Sequence, residues 1–219
     1  MKKVFASCLA LIMLASPAWL QAQELGWRYI EANFSDVDAE DISNTGVDAD
    51  GDGWNVEAVF GFGAIFLYAE GSDLTAELDN AGAAADIDVE RRGYGLGFQK
   101  TGDNSAGYIK LGRQSFEFQP DTPNAQTLKE SGFAVELGLR HRFTEKWEGH
   151  ARVEVINASL STTPGGRDSS TAEGIGVGFL YHINNRFALG LDYEMLEDFD
   201  TIEAGIRFSF GAAGGEEDE

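Results

Sequence analysis

The segment Ile202-Glu203-Ala204-Gly205-Ile206-Arg207-Phe208-Ser209-Phe210 decides the fold. Successive side chains of an extended strand point to opposite sides, so Ile202, Ala204, Ile206, Phe208 and Phe210 share one face. Glu203, Gly205, Arg207 and Ser209 share the other. The same two-residue period recurs upstream. Val135, Leu137, Leu139 and Phe143 alternate with Ala134, Glu136, Gly138, Arg140 and Arg142. Ile175, Val177, Phe179 and Tyr181 alternate with Gly174, Gly176 and Gly178, and Phe187, Leu189, Leu191, Tyr193 and Met195 with Ala188, Gly190, Asp192 and Glu194. Each segment has one apolar face and one face of glycine or charge. No helical period is sustained past residue 22, and no long apolar run occurs there.

Two architectures fit this alternation. A soluble sandwich buries the apolar face and wets the charged one; a membrane barrel does the reverse. Connection lengths favour the barrel. The pattern predicts strands at 25–35, 53–61, 64–72, 88–99, 105–118, 131–143, 147–160, 172–183, 186–196 and 201–210. The gaps after the first, third, fifth and seventh are long and polar, at 36–52, 73–87, 119–130 and 161–171. The intervening gaps are tight: Phe62-Gly63, Thr101–Asn104, Thr144–Lys146 and Asn184-Asn185. Long outer loops and short periplasmic turns are the habit of outer-membrane barrels. Only the fifth outer connection, Glu197–Asp200, is short where length is expected. Ten strands is an even number, so both termini fall on the periplasmic side; eight strands is the runner-up if two segments merge. Closure also removes the exposed edges of an open sheet.

The N-terminus sets the compartment. Lys2 and Lys3 precede an apolar run from Val4 to Leu14, which Ser16-Pro17 breaks before a small residue at Ala22. That order is a secretory signal peptide, too short to span a bilayer, which takes about 20 residues. Residues 1–22 are therefore read as the signal peptide, 23–210 as the barrel and 211–219 as an acidic disordered tail. Cys8 precedes most of the apolar run, the wrong place for a lipid-modified cysteine, and it is the only cysteine. Processing leaves no disulfide and no thiolate metal site. Losing two lysines and no acid takes the net charge from −21 to −23. Such a surface repels nucleic acid, and repels anionic head groups unless divalent cations bridge them.

The last strand resembles the C-terminal signal, centred on Phe208 and Phe210, by which outer-membrane proteins are recognised for insertion. In that family the aromatic usually ends the chain, whereas here Gly211 to Glu219 follow. Three further stretches, Leu25-Gly26-Trp27-Arg28-Tyr29-Ile30-Glu31, Asp50-Gly51-Asp52-Gly53-Trp54 and Arg92-Gly93-Tyr94-Gly95-Leu96-Gly97, resemble small barrels of xanthomonads and related proteobacteria. More distantly they resemble the OmpA/OmpX group. The resemblance implies an outer-membrane barrel linked to vesicles and surface signalling, without enzymatic activity.

Several residues are candidates for chemistry. The inward charges are predicted to be Glu31, Glu57, Lys110, Glu136, Arg140, Arg152, Glu154, Asp192, Glu194, Glu203 and Arg207. Their mixed signs suit a salt-bridge network filling the lumen, because an unpaired buried charge is costly. The inward glycines Gly174, Gly176, Gly178 and Gly205 leave room for a thin water path. Asp48-Ala49-Asp50-Gly51-Asp52-Gly53 imitates the start of a calcium loop, but the twelfth position, which should be Glu, is Val59. Asp48, Asp50 and Asp52 thus remain a candidate loose Ca2+ or Mg2+ site in an acidic outer loop, and no cofactor is expected. His141, His150 and His182 all fall beside tight turns, where a site facing outward has no use for them as a base. Trp27, Trp54, Trp147, Tyr94, Tyr181 and Phe210 fall near strand ends, as interfacial girdles do.

The functional expectation is a monomeric, non-enzymatic barrel with a structural or surface-interaction role through acidic outer loops. Its partners are outer-membrane lipid, lipopolysaccharide and, during insertion, the barrel-assembly machinery. The competing readings are a narrow, weakly cation-preferring channel and a soluble periplasmic lipid-binding barrel.

Overall fold

A computed structural model describes residues 25–39, 47–80, 83–121, 127–163 and 166–210. The predicted signal peptide and acidic tail lie outside them. Every element described is a strand: β1 (Arg28–Ala39), β2 (Val47–Phe62), β3 (Ile65–Asn80), β4 (Ala83–Thr101), β5 (Ser105–Pro120), β6 (Leu128–Arg142), β7 (Trp147–Thr163), β8 (Gly166–His182), β9 (Phe187–Leu196) and β10 (Phe199–Ser209). Each pairs antiparallel with its neighbours in sequence, and β1 closes the barrel against β10 from Tyr29↔Ser209 to Ala39↔Phe199. The ten-stranded reading stands, and no sheet edge is left along the closure.

Local chemistry makes the four tight turns at the end that carries both termini, the inner end. Gly63 adopts φ 65°, which its missing Cβ permits, and joins β2 to β3. Thr144 Oγ1 accepts from the backbone N–H groups of Lys146 and Trp147 at 3.2 and 3.0 Å. Asn184 Oδ1 does the same for Arg186 and Phe187 at 2.8 and 3.0 Å. These side-chain turns hold the chain in a reversal without needing glycine.

The outer end departs from expectation. Most of the predicted loops 36–52, 73–87, 119–130 and 161–171 are strand, because β1 to β8 run on well past the apolar alternation. A transmembrane strand needs about 9–11 residues. β9 and β10 have 10 and 11, whereas β4 has 19 and β7 and β8 have 17. The surplus in β2 to β8 continues the backbone ladder beyond the apolar belt, with polar side chains outside, which a search for apolar alternation scores as loop.

Burial fixes the faces. Phe179 is 53 % exposed while Glu148, next to Gly149, the cross-strand partner of Phe179, is 0 % exposed, so near the inner end apolar side chains point out and charges point in. Ile30, Phe34, Phe60, Leu67, Leu111, Leu137 and Leu191 form part of the outward belt. A soluble barrel with its apolar face inside is excluded for this half. Farther out the faces exchange. Outward positions become Asp36 and Asp38 on β1, Asp50 and Asp52 on β2, Asp73, Thr75 and Glu77 on β3, and Asp88 on β4. The register aligns the intervening inward positions: Val37 with Gly51 and Thr201, Ala49 with Leu78, Leu74 with Val89, and Val89 with Phe118.

Candidate functional site in the barrel lumen

The lumen is built in layers from the inner end upward. Its floor is aromatic. Trp27 stacks on Phe66 with centroids 4.8 Å apart and meets Tyr108 edge-on at 5.3 Å. Leu25, Tyr29, Val59, Tyr68 and Ala106 complete this buried cluster. Trp27 is therefore no girdle residue. Its position on the inward face of the closure places it inside, where the guanidinium of Arg140 lies 4.8 Å from its ring. Trp54, Tyr94 and Trp147 do face outward and are exposed, and Trp147 touches Tyr181 at 5.0 Å between centroids. Phe208 faces out on β10, with Phe187 5.1 Å away and Phe210 6.2 Å away.

Ion pairs surround and cover the floor. Glu148, fully buried, accepts from Arg140 Nε at 2.7 Å and Nη2 at 2.6 Å. Its second oxygen takes Arg142 Nη2 at 3.3 Å and faces His182 Nε2 at 3.1 Å. Arg207 pairs with Glu31 across the closing strands, and its guanidinium sits 4.1 Å over the Tyr29 ring. One level up, Lys110 Nζ lies 2.5 Å from Glu57 and 3.4 Å from Glu136. Tyr29 donates to Glu57 at 3.0 Å and Tyr108 to Glu136 at 2.6 Å. Higher still, Arg91 reaches Glu154 at 3.3 Å, Glu70 at 3.4 Å and Glu194 at 3.9 Å. Gln114 donates to Glu70 and Glu154 at 3.0 and 2.8 Å. Arg152 joins Glu194 at 2.5 Å and Asp192 at 3.2 Å, and His150 Nε2 lies 2.5 Å from Asp192. Glu203 accepts from Ser35 at 3.1 Å and from Asn55.

All eleven lumen charges singled out in the sequence point inward and have partners in this network. Six further members were not among the predicted lumen charges: Glu70, Arg91, Arg142, Glu148, His150 and His182, although the alternation had already set Arg142 on the polar face. The signal was present. Glu70 lies two places from Tyr68 on the inward face and is the cross-strand neighbour of Glu57. The pair Arg91-Arg92 must split between faces, and the register sends Arg91 in. Glu148 sat too close to a predicted turn to be assigned a face.

The inward glycines do not leave open space. The Arg152 guanidinium lies across Gly176, Asp192 and His150 across Gly178, and Asn33 across Gly205. Near the floor the rings of Phe66 and Tyr108 occupy the places where Gly97 and Gly138 would carry a Cβ. Small and large residues interlock, which is how a narrow barrel fills its bore. A cavity of about 490 Å³ remains, reaching from Trp27 and Tyr29 up to Leu78 and Ile87.

The acidic motif requires a correction. Asp48, Asp50 and Asp52 lie in the strand β2 and not in a loop, and all three point outward. An extended strand spaces alternate residues about 6.6 Å apart along a straight line, so these carboxylates cannot wrap round one ion as a calcium loop does. Among the described residues no group of three or more His, Asp or Glu side chains is placed to hold a metal ion. The histidines fall at the inner end: His150 and His182 within ion pairs, His141 with its Nδ1 2.8 Å from Ser105 Oγ.

No curated protein sequence matches the chain. Among solved structures, the β domain of the Bordetella autotransporter BrkA aligns with TM-score 0.50 and 14% identity, covering 85% of this chain and 100% of that one. Neisserial surface protein A aligns with TM-score 0.46 and 12% identity over 83% of this chain and 96% of that one. OprG from Pseudomonas aeruginosa gives 0.48 and 13% over 89% and 100%. At its identity the likeness to the BrkA β domain speaks for fold alone. The sequence from residue 6 to 168, more than half the chain, matches the outer membrane protein β-barrel domain. With a closed ten-stranded barrel and an outward apolar belt, the chain belongs to that family and is a protein of the bacterial outer membrane.

Proposed function

We propose that this barrel is a non-conducting, non-enzymatic surface protein, a rigid stave that presents an acidic collar outside the membrane. The observation that carries this reading is the lumen. An aromatic floor closes the periplasmic end, and layers of ion pairs fix the side chains above it. Mobile pore-lining charges would show few mutual contacts, whereas here Glu148 is fully enclosed by Arg140, Arg142 and His182. Nothing in this layer combines a nucleophile, a base and an approach from outside.

The outward acids of β1 to β4 supply the collar. Divalent cations at this surface would bridge it to the phosphates of lipopolysaccharide, a diffuse electrostatic contact with no dedicated metal site. The resemblance to xanthomonad-type small barrels agrees with a surface role. Phe208 and Phe210 would serve as the insertion signal read by the assembly machinery, and the barrel would act as a monomer.

Planar-bilayer recording of the refolded protein tests the reading. Electrical silence at moderate voltage is the expected result. Steady, salt-dependent, cation-selective steps would replace it with the narrow channel, since the lumen carries more carboxylates than cationic groups.

A further inference from the structure

The outer half of the lumen has the wrong polarity for a water-filled vestibule. Leu74, Leu78, Ile87, Val89, Phe118 and Leu196 all line the cavity, and none is fully buried. The cup's strands stand beyond the lipid belt, so water is the solvent on their outer face, and their inward residues would meet water too if nothing filled the cup. Holding facing apolar side chains apart in water is unfavourable in proportion to the area left wet. The chain itself offers little to cover them. The segments that join strands at this end, 40–46, 81–82, 122–126 and 164–165, contain a single large apolar residue, Ile42.

The cup also has a way in. β8 pairs with β7 out to Gly166, but its pairing with β9 begins only at Gly174↔Leu196. The wall therefore steps down above the turn at Glu197-Asp198. Leu196 and Phe199 line the cavity at this step, while Tyr193, Met195 and Ile202 face outward just below it, at the top of the lipid belt. An apolar molecule leaving the outer leaflet meets the cup at that point.

Beneath the cup lie carboxylates. Glu70, Glu154, Glu194 and Glu203 outnumber Arg91 and Arg152 around the same cavity, and the outer surface is acidic as well. This field disfavours an anionic head group at either end of the site. The cavity as a whole, floor to rim, has a volume within the usual range for small-molecule pockets, which are mostly apolar with a few polar groups, and the cup is its apolar outer part. We infer that the outer half of the lumen binds an amphiphile without negative charge, its apolar body in the cup and its neutral or cationic head against the carboxylates. The aromatic floor makes the site a dead end, so the molecule is held and does not cross.

The test uses the full folded barrel in phospholipid nanodiscs, with empty discs as the blank. Phenylnaphthylamine, a neutral fluorophore that brightens in apolar sites, is titrated in and then displaced. Saturable binding of one probe per barrel is expected, with dodecanol and dodecylamine displacing it about ten-fold better than dodecanoate. The double variant Leu74→Asn/Ile87→Asn, checked for a heat-shifted gel band, should weaken probe binding about ten-fold. If that variant does not fold, the competition series on the unaltered barrel decides alone. Absence of a saturable component, equal displacement by dodecanoate, or unchanged binding in the folded variant each overturns the inference. So would a barrel that binds probe only after Ile42→Asp, since the occupant would then be this chain's own segment.

Discussion

On β1, Phe34 faces out and Ser35 faces the lumen; two residues farther along, Asp36 faces out and Val37 faces in. β3 makes the same exchange between Leu67 and Glu70 on one side and Asp73 and Leu74 on the other. The two-residue period never breaks across this change. What reverses is the solvent. In lipid no water is available for backbone or charge, so polarity is gathered inside and paired. Above the lipid the outer face meets water and can carry unpaired carboxylates, and the inner face is released from ion pairing. The sign of an alternating pattern thus reports the surroundings at that depth, and a single strand can carry both signs.

The comparison breaks first at the buried charges. Glu148→Ala leaves Arg140 and Arg142 enclosed without their shared carboxylate, and removal of one partner of a buried pair costs about 3–5 kcal/mol. Loss of the heat-shifted band, or a matching fall in urea stability, checks it. Next comes the outer face. Leu137→Arg in the lipid belt should cost about 2–4 kcal/mol. Thr75→Arg, equally outward but beyond the belt, should change stability by less than about 0.5 kcal/mol. Equal effects in urea titrations of the two variants would mean that the halves share one environment. Of the three substitutions expected to destabilise, the smallest effect falls to Gly138→Ala. Its Cβ would run into the Tyr108 ring, and such overpacking costs about 1–3 kcal/mol, toward the lower end if the ring can tilt. Differential unfolding in urea resolves it.

Much of this was legible in the chain. The ten alternating segments and the tight turns between them, such as Asn184-Asn185 and Phe62-Gly63, carried the reading of ten strands over eight, with their order and facing. The eleven lumen charges followed because ten of them sat between apolar neighbours of known direction, and Arg140 continued the alternation after Leu139. Three things were not legible. The extensions of β1 to β8 looked like loops because their outward residues are acidic and their inward residues sparse and often small, as in Asp48-Ala49-Asp50-Gly51-Asp52-Gly53. Trp27 looked like a girdle residue because it lies near a strand end; the alternation through Tyr29 to Glu31 puts it on the inward face, where it is buried. The apolar cup was invisible because its residues lie on five strands, and only the closed register brings Leu74, Val89 and Phe118 side by side.

The exchange of faces can be measured directly. Cys8 is the only cysteine in the chain and falls within the predicted signal peptide, so single cysteines can carry spin labels in the refolded barrel. Leu67→Cys, Leu137→Cys and Leu191→Cys sample the belt, and Asp52→Cys, Glu77→Cys and Glu117→Cys sample outward positions farther out. In bilayers the first three labels should relax with oxygen, which concentrates in lipid, and the second three with a water-soluble nickel chelate. Oxygen-dominated relaxation at 52, 77 and 117 would contradict the account, for the belt would then continue to the outer end and the exchange of faces would not exist.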